Sequence, residues 1–154
     1  MKRTHTWLAI TFFAIVFSSM AFFSCRHNNS QDKSVEAIVE QVWQFSKTHP
    51  DGFTVDVRTM EEVSEGIAVA YAATQGRHSR ESLFFVVSHA LENDGLVGGW
   101  LDTESGLFFF DSTKIFPEDQ LDEALAFARK NGQSAVYILS TGEEIRLDEV
   151  KIAA

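Results

Sequence analysis

A chain of 154 residues is enough for one domain with a real hydrophobic core. Its formal net charge is −9, and without Lys2 and Arg3 the remainder carries 11 basic against 22 acidic residues, a net −11. That balance argues against nucleic acid as a partner, because phosphates demand Lys and Arg, and fits an acidic domain or a ligand for a basic partner. Cys25 is the only cysteine, so an intrachain disulfide is excluded and stability must come from packing.

The N-terminus reads as an address. Lys2 and Arg3 are followed by an uncharged run from Trp7 to Ser24, then by Cys25 and a polar stretch, RHNNSQDKS. A basic start, an apolar segment and a small residue before the cut describe a secretory signal. With Ser24 directly before the lone cysteine, the pattern resembles a bacterial lipoprotein signal of the relaxed Bacteroidota kind. The resemblance implies cleavage after residue 24 and an acyl chain, palmitate among others, on Cys25. Phe22 and Phe23 depart from the commoner lipobox residues. Two alternatives stay open: an uncleaved membrane anchor over the same run, and ordinary cleavage after Ala21. The division expected is a signal peptide over 1–24, a flexible tether over 25–33 and a single domain over 34–154. That places the protein at the cell envelope, facing the periplasm or the cell surface, with lipid on Cys25 as its membrane attachment.

Within the domain, Ser34 suits a helix N-cap, and Val35, Ile38, Val39, Val42 and Phe45 follow at helical spacing up to His49-Pro50. Phe53–Arg58 alternates as a strand, Met60–Glu65 is an acidic connection, and Gly66–Ala73 is a second strand. Arg77, His78 and Arg80 form the one basic cluster, read as a solvated loop or an anion contact. Leu83–Asn93 is strand-like in composition, but Leu83, Val86, Val87, Ala90 and Leu91 share a helix face, and Asp94-Gly95 is a stop signal. Phe84 and Phe85 are expected to widen that buried face. Leu96–Leu101 is a third strand, with Gly98-Gly99 marking a bulge or a close backbone approach. A hairpin loop with Gly106 in a left-handed conformation leads to a fourth strand, Leu107–Phe110. Its three consecutive Phe residues require either cover on both sheet faces or one Phe exposed to a partner. Pro117 opens a last helix ending at Asn131-Gly132, and Ala135–Leu139 is the fifth strand. Ile145–Leu147 is a candidate short edge strand. The predicted fold is α+β, an antiparallel sheet of about five strands with helices packed on it, in the order α-β-β-α-β-β-α-β. The segment Leu83–Phe110 carries most of its core material.

The chemistry-bearing spacings are missing: no G-x-S-x-G, no Walker loop, no H-E-x-x-H and no calcium loop. Asp102, Glu104 and Asp111 could hold a cation through oxygen, or simply form a solvated turn. No cofactor or metal is therefore assigned. GFTVDVRT, GIAVAY, VGGWLDTESGLFFFDSTKIF and EALAFARKNGQSAVYIL together resemble a domain of uncharacterised function. That domain occurs in multi-domain proteins of phages and conjugative elements and in short stand-alone proteins. The matching residues are Gly99, Trp100, Asp102, Gly106, Asp111, Gln133 and Ala135. The resemblance implies a compact α/β unit and no known reaction, and the lipoprotein signal departs from it.

Three functions follow as expectations. The first is a non-enzymatic binding module with Trp100, Asp102, Phe108 and Asp111 on its interaction surface and a protein partner at the envelope. The second is a small envelope hydrolase using His89 with Asp102 or Asp111. The third is an immunity-type inhibitor of a basic toxin.

Overall fold

The computed structural model describes the backbone of residues 21–150 and the side chains of residues 34–150. Residues 1–20, the side chains of residues 21–33 and the last four residues lie outside the described residues, and with them most of the expected signal peptide over 1–24 and the side chain of Cys25. The chain divides into two compact units, Met1–Lys33 and Ser34–Ala154. The first contributes helical residues 21–33, and the second carries the sheet.

In chain order the elements are α1 (Ala21–Thr48), β1 (Phe53–Asp56), β2 (Glu61–Glu62), β3 (Ile67–Ala70), α2 (Arg80–Glu92), β4 (Leu96–Asp102), β5 (Leu107–Phe116), α3 (Leu121–Lys130), β6 (Ala135–Ile138) and β7 (Glu143–Arg146). Short 3-10 turns at Ala72–Thr74 and Glu118–Gln120 lead into α2 and α3. The strands form one antiparallel sheet in the order β2-β1-β4-β5-β3-β6-β7. The fold is α+β.

Strand pairing decides which side chains share a face, because successive residues point to opposite sides. Phe53, Gly99 and Phe110 lie in one cross-strand row, Val55, Val97 and Ser112 in the next, and Ile67 with Phe116 further along the same face. That face carries the core. From Ser34 onward, α1 packs with α2 over β1, β4 and the start of β5, through Val35, Val39, Val42, Leu83, Val86, Val87 and Phe110. The second cluster sets Ala124, Leu125 and Ala128 of α3 against Ile67, Val69, Phe116 and Val136. Both clusters draw their β5 residues, Phe110 and Phe116, from one side of the strand, so the helices of this unit cover a single face. The other face carries Thr54, Trp100, Phe109, Asp111 and Tyr137 and has no helix among the described residues packed on it.

Helix ends follow local chemistry. Ser79 caps α2 by accepting from the Ser82 amide at 3.2 Å, and Ser82 Oγ accepts in return from the Ser79 amide at 3.1 Å. α3 has Asp122 and Glu123 in its first turn and Arg129 and Lys130 in its last, the arrangement that suits the helix dipole. His49 closes α1, its Nδ1 2.9 Å from the Phe45 carbonyl and its ring stacked on Phe45 at 3.9 Å.

The sheet has seven strands, not five, and the observed order is α-β-β-β-α-β-β-α-β-β. The extra strands are the outermost ones. β2 is two glutamates that pair with Val55 and Asp56 after a turn in which Met60 takes a φ of 60°. Its acidic composition hid it in a connection. β7, Glu143–Arg146, is a full partner of β6. α1 runs through residues 25–33 and Ser34, where the sequence predicts a tether and an N-cap. Phe85 is 63% exposed and does not widen the buried face of α2; the Arg77 guanidinium lies 5.2 Å from its ring. β5 continues six residues past Phe110, where the polar run Asp111-Ser112-Thr113-Lys114 gave no strand signal.

Candidate functional site

The β4–β5 hairpin pairs residue for residue from Leu96↔Thr113 to Asp102↔Leu107 without a bulge. Asp102 builds its turn: it accepts from the Glu104 amide at 3.1 Å and from the Ser105 amide and hydroxyl at 3.2 and 2.5 Å. Those bonds, Ser105's hydroxyl first, hold the Asp102 carboxyl below the usual range. Gly106 takes the left-handed conformation that the turn needs, with φ 69°.

The paired glycines let neighbouring side chains close over the strand on both faces. A Cβ on Gly99 would stand 2.5 Å from the Phe53 ring and 2.7 Å from that of Phe108. These rings cross over the strand on the helix-covered side, their centroids 6.1 Å apart. A Cβ on Gly98 would stand 2.8 Å from Thr113 Oγ1 on the opposite side. The glycine pair therefore marks close approach.

On the helix-free face, Trp100 sits directly across from Phe109, and their rings stack at 5.1 Å with 25° between planes. The neighbouring pair is Gly98 and Asp111. The Trp100 indole Nε1–H donates to Asp111 Oδ2 at 3.3 Å. Asp111 is only 8% exposed, and its Oδ1 is buried without a hydrogen-bond partner. Burial pushes its carboxyl up to about 6, a shift the indole N–H opposes but does not cancel. Arg77 bridges to Phe110, whose amide donates to the Arg77 carbonyl at 2.7 Å. That pairing sets the next residue, His78, edge-on to Phe109 at 5.6 Å.

Ser112 and Lys114 of the same strand point the other way, into the space between α2 and α3. Here Tyr71 donates its hydroxyl to Asp94 Oδ2 at 2.5 Å, and Lys114 Nζ lies 3.5 Å from Asp94 Oδ1. Burial, and then the Asp94 carboxylate, push the Tyr71 hydroxyl up to about 12. His89 Nδ1 stands 3.0 Å from Ser112 Oγ, and its ring meets Tyr71 edge-on at 5.1 Å. Ser112 is fully buried, and its amide donates to Thr74 Oγ1 at 2.9 Å. A hydroxyl with no exposure cannot meet a substrate, so this network serves as a polar joint between the two apolar clusters.

The candidate residues thus separate. Trp100 and Asp111 come together on the helix-free face. Asp102 is spent on the hairpin turn. Phe108 belongs to the covered face, and Phe109 takes the exposed place beside Trp100. His89 meets Ser112, while Asp111 points to the opposite side of β5, so the pairing of His89 with Asp102 or Asp111 is not formed. Asp102, Glu104 and Asp111 do not converge, and no group of three metal-ligating side chains occurs among the described residues. Nor is any helix among them long and apolar enough to cross a membrane. Phe109 could have been found by counting outward from the Gly106 turn. Tyr71, Asp94 and Lys114 carry no such signal, because they meet only through the β3–β5 crossing and the loop after α2.

No protein family, curated protein or solved structure matches the chain.

Proposed function

We propose that this chain is a lipid-anchored cell-envelope binding module, held by an acyl chain on Cys25, that docks a protein partner on the helix-free face around Trp100, Phe109 and Asp111. The observation that carries the docking reading is Trp100. It is 49% exposed, stacked on a second aromatic ring and set beside a carboxylate with an unpaired buried oxygen. Large aromatic side chains at the centre of an open patch are the residues that dominate protein interfaces. The expected pairing of His89 with Asp102 or Asp111 is not formed, which favours binding over hydrolysis by those residues.

A second reading, an inhibitor of a basic toxin, draws on the same carboxylate and on the net −11 of the chain beyond Lys2 and Arg3. It differs only in the identity of the partner.

A photo-crosslinking residue at position 100, compared with one at the exposed Phe85 on α2, tests the docking face in intact envelopes. Adducts of one defined mass from position 100 alone, abolished by Phe109→Ala, are expected. Equal adducts from both positions, or none from position 100, would overturn it. The anchor is tested by metabolic labelling with an alkyne fatty acid. Cys25→Ser is expected to abolish the label, and unchanged labelling would refute the lipid attachment.

A further inference from the structure

An unpaired carboxylate on a β-sheet face needs a counter-charge, a proton or water, and the local cations are engaged elsewhere. Lys47 lies over the Trp43 ring at 4.0 Å. Arg58 donates to the Asp94 carbonyl at 2.8 Å. Arg77, paired with Phe110 and so turned to the covered side, lies over Phe85 with its Nε buried and unpartnered; Arg80 pairs with Glu40 at 2.7 Å, and Lys114 points through to Asp94 on the covered face. Asp111 has only the neutral indole N–H, at 3.3 Å, a long bond for this donor and acceptor. The residue opposite it, Gly98, offers no side chain, and Thr113 Oγ1 lies 2.8 Å from where a Cβ would stand. The remaining walls are the π faces of Trp100 and Phe109, with His78 edge-on to Phe109 at 5.6 Å.

We infer that the Trp100–Phe109–Asp111 site takes an arginine side chain of the docking partner, its guanidinium stacked on the indole and its N–H groups donating to Asp111. The inference rests on the reading of this face as a docking surface and gives that surface its chemistry. Aromatic faces attract cations through their quadrupole, most strongly for Trp. A planar guanidinium stacks on the ring and reaches a carboxylate at the same time, which a compact ammonium does not. At Asp111 Oδ2 a charged donor competes with one long hydrogen bond from a neutral indole, and charge-assisted bonds to a desolvated acceptor are strong. The acidic balance of the chain draws a basic partner toward the face.

The probes are the tripeptides Gly-Arg-Gly and Gly-citrulline-Gly, equal in shape but different in charge. They are added to the full chain in detergent micelles with its tryptophan indoles labelled with 15N. The chain has three tryptophans, and Trp100→Phe identifies the resonance of Trp100. The arginine peptide is expected to move the Trp100 indole N–H at least about fivefold further than the citrulline peptide does. The resonance of Trp43 stays in place. Asp111→Asn is expected to erase that difference. Where Asp111→Asn lacks a native amide spectrum, Asp111→Thr takes its place. Equal shifts with the two peptides would overturn the cation specificity while leaving the docking face intact. No shift with either, or a difference that survives loss of the carboxylate, would also overturn it. Loss of the docking face itself is read separately, from the position-100 crosslink.

Discussion

Asp111 and Ser112 are neighbours on one strand, and they show two fates of a buried polar group. Ser112 looks into the covered face. Its amide, carbonyl and hydroxyl all have partners: Thr74 Oγ1, the Tyr71 amide and His89. Asp111 looks to the helix-free face with one oxygen on an indole and the other on nothing. A satisfied polar group in a core fixes how layers sit together, whereas an unsatisfied one costs stability and persists where something else uses it. The contrast sets a face whose buried Ser112 is fully paired against one that leaves a carboxylate oxygen unpaired.

Mutations sharpen that contrast in a graded order. Phe110, fully buried between Trp43 and Phe108, is the joint of the covered face. Phe110→Ala is expected to lower unfolding free energy by about 3–5 kcal/mol in urea titrations. A loss under about 1 kcal/mol would mean that α1 and α2 hold the sheet without it. The next effect is one of pH. The folded-state value for Asp111, about 6, lies above its ordinary 3.8, so the native chain binds the proton more tightly than the unfolded one. The contribution is full below about pH 4 and is lost as pH rises through about 6, a decline of roughly 2–3 kcal/mol. Asp111→Asn should flatten that slope and leave the protein more stable near pH 7. A wild-type profile that is already flat would show that water reaches Oδ1.

Smaller effects separate the faces further. Tyr71→Phe removes the hydroxyl held by Asp94 and should cost about 1–2 kcal/mol, because one partner is ionised. Differential scanning calorimetry reads it as a fall in Tm. Trp100→Ala should change stability by no more than about 1 kcal/mol, since half of the residue is already in water and its loss hydrates a buried carboxylate with an unpaired oxygen. A large loss there would make Trp100 part of the framework, and the comparison of the two faces would fail.

The sequence exposes the covered face well and the open face only in part. Leu83, Val86, Val87 and Ala90 recur at helical spacing, and that period overrode the strand-like look of LFFVV. The α+β class, the antiparallel pairing and the turn at Gly106 followed from alternation and turn chemistry. What stayed hidden was short or polar. Two glutamates make a strand only because Met60 turns the chain back beside β1. The second half of β5 turns Ser112 and Lys114 inward, where an alternating apolar signal is expected. Phe108 and Phe109 differ by one position, and only hairpin register says which faces Trp100. Trp100 and Asp111 were legible as neighbours across a hairpin. The orphaned oxygen was not, because satisfaction depends on what surrounds the carboxylate in space.

The outermost strands bear on how copies of the protein coexist. One border is a pair of glutamates, and the other carries Glu143, Glu144 and Arg146, with Arg146 already ringed by Glu144, Asp148 and Glu149. Unpaired backbone at a sheet margin is a template for zipping with another molecule, and like charge with short length blunts it. At high local density, like charge sets copies against one another margin to margin, so the chain resists growth into extended ribbons.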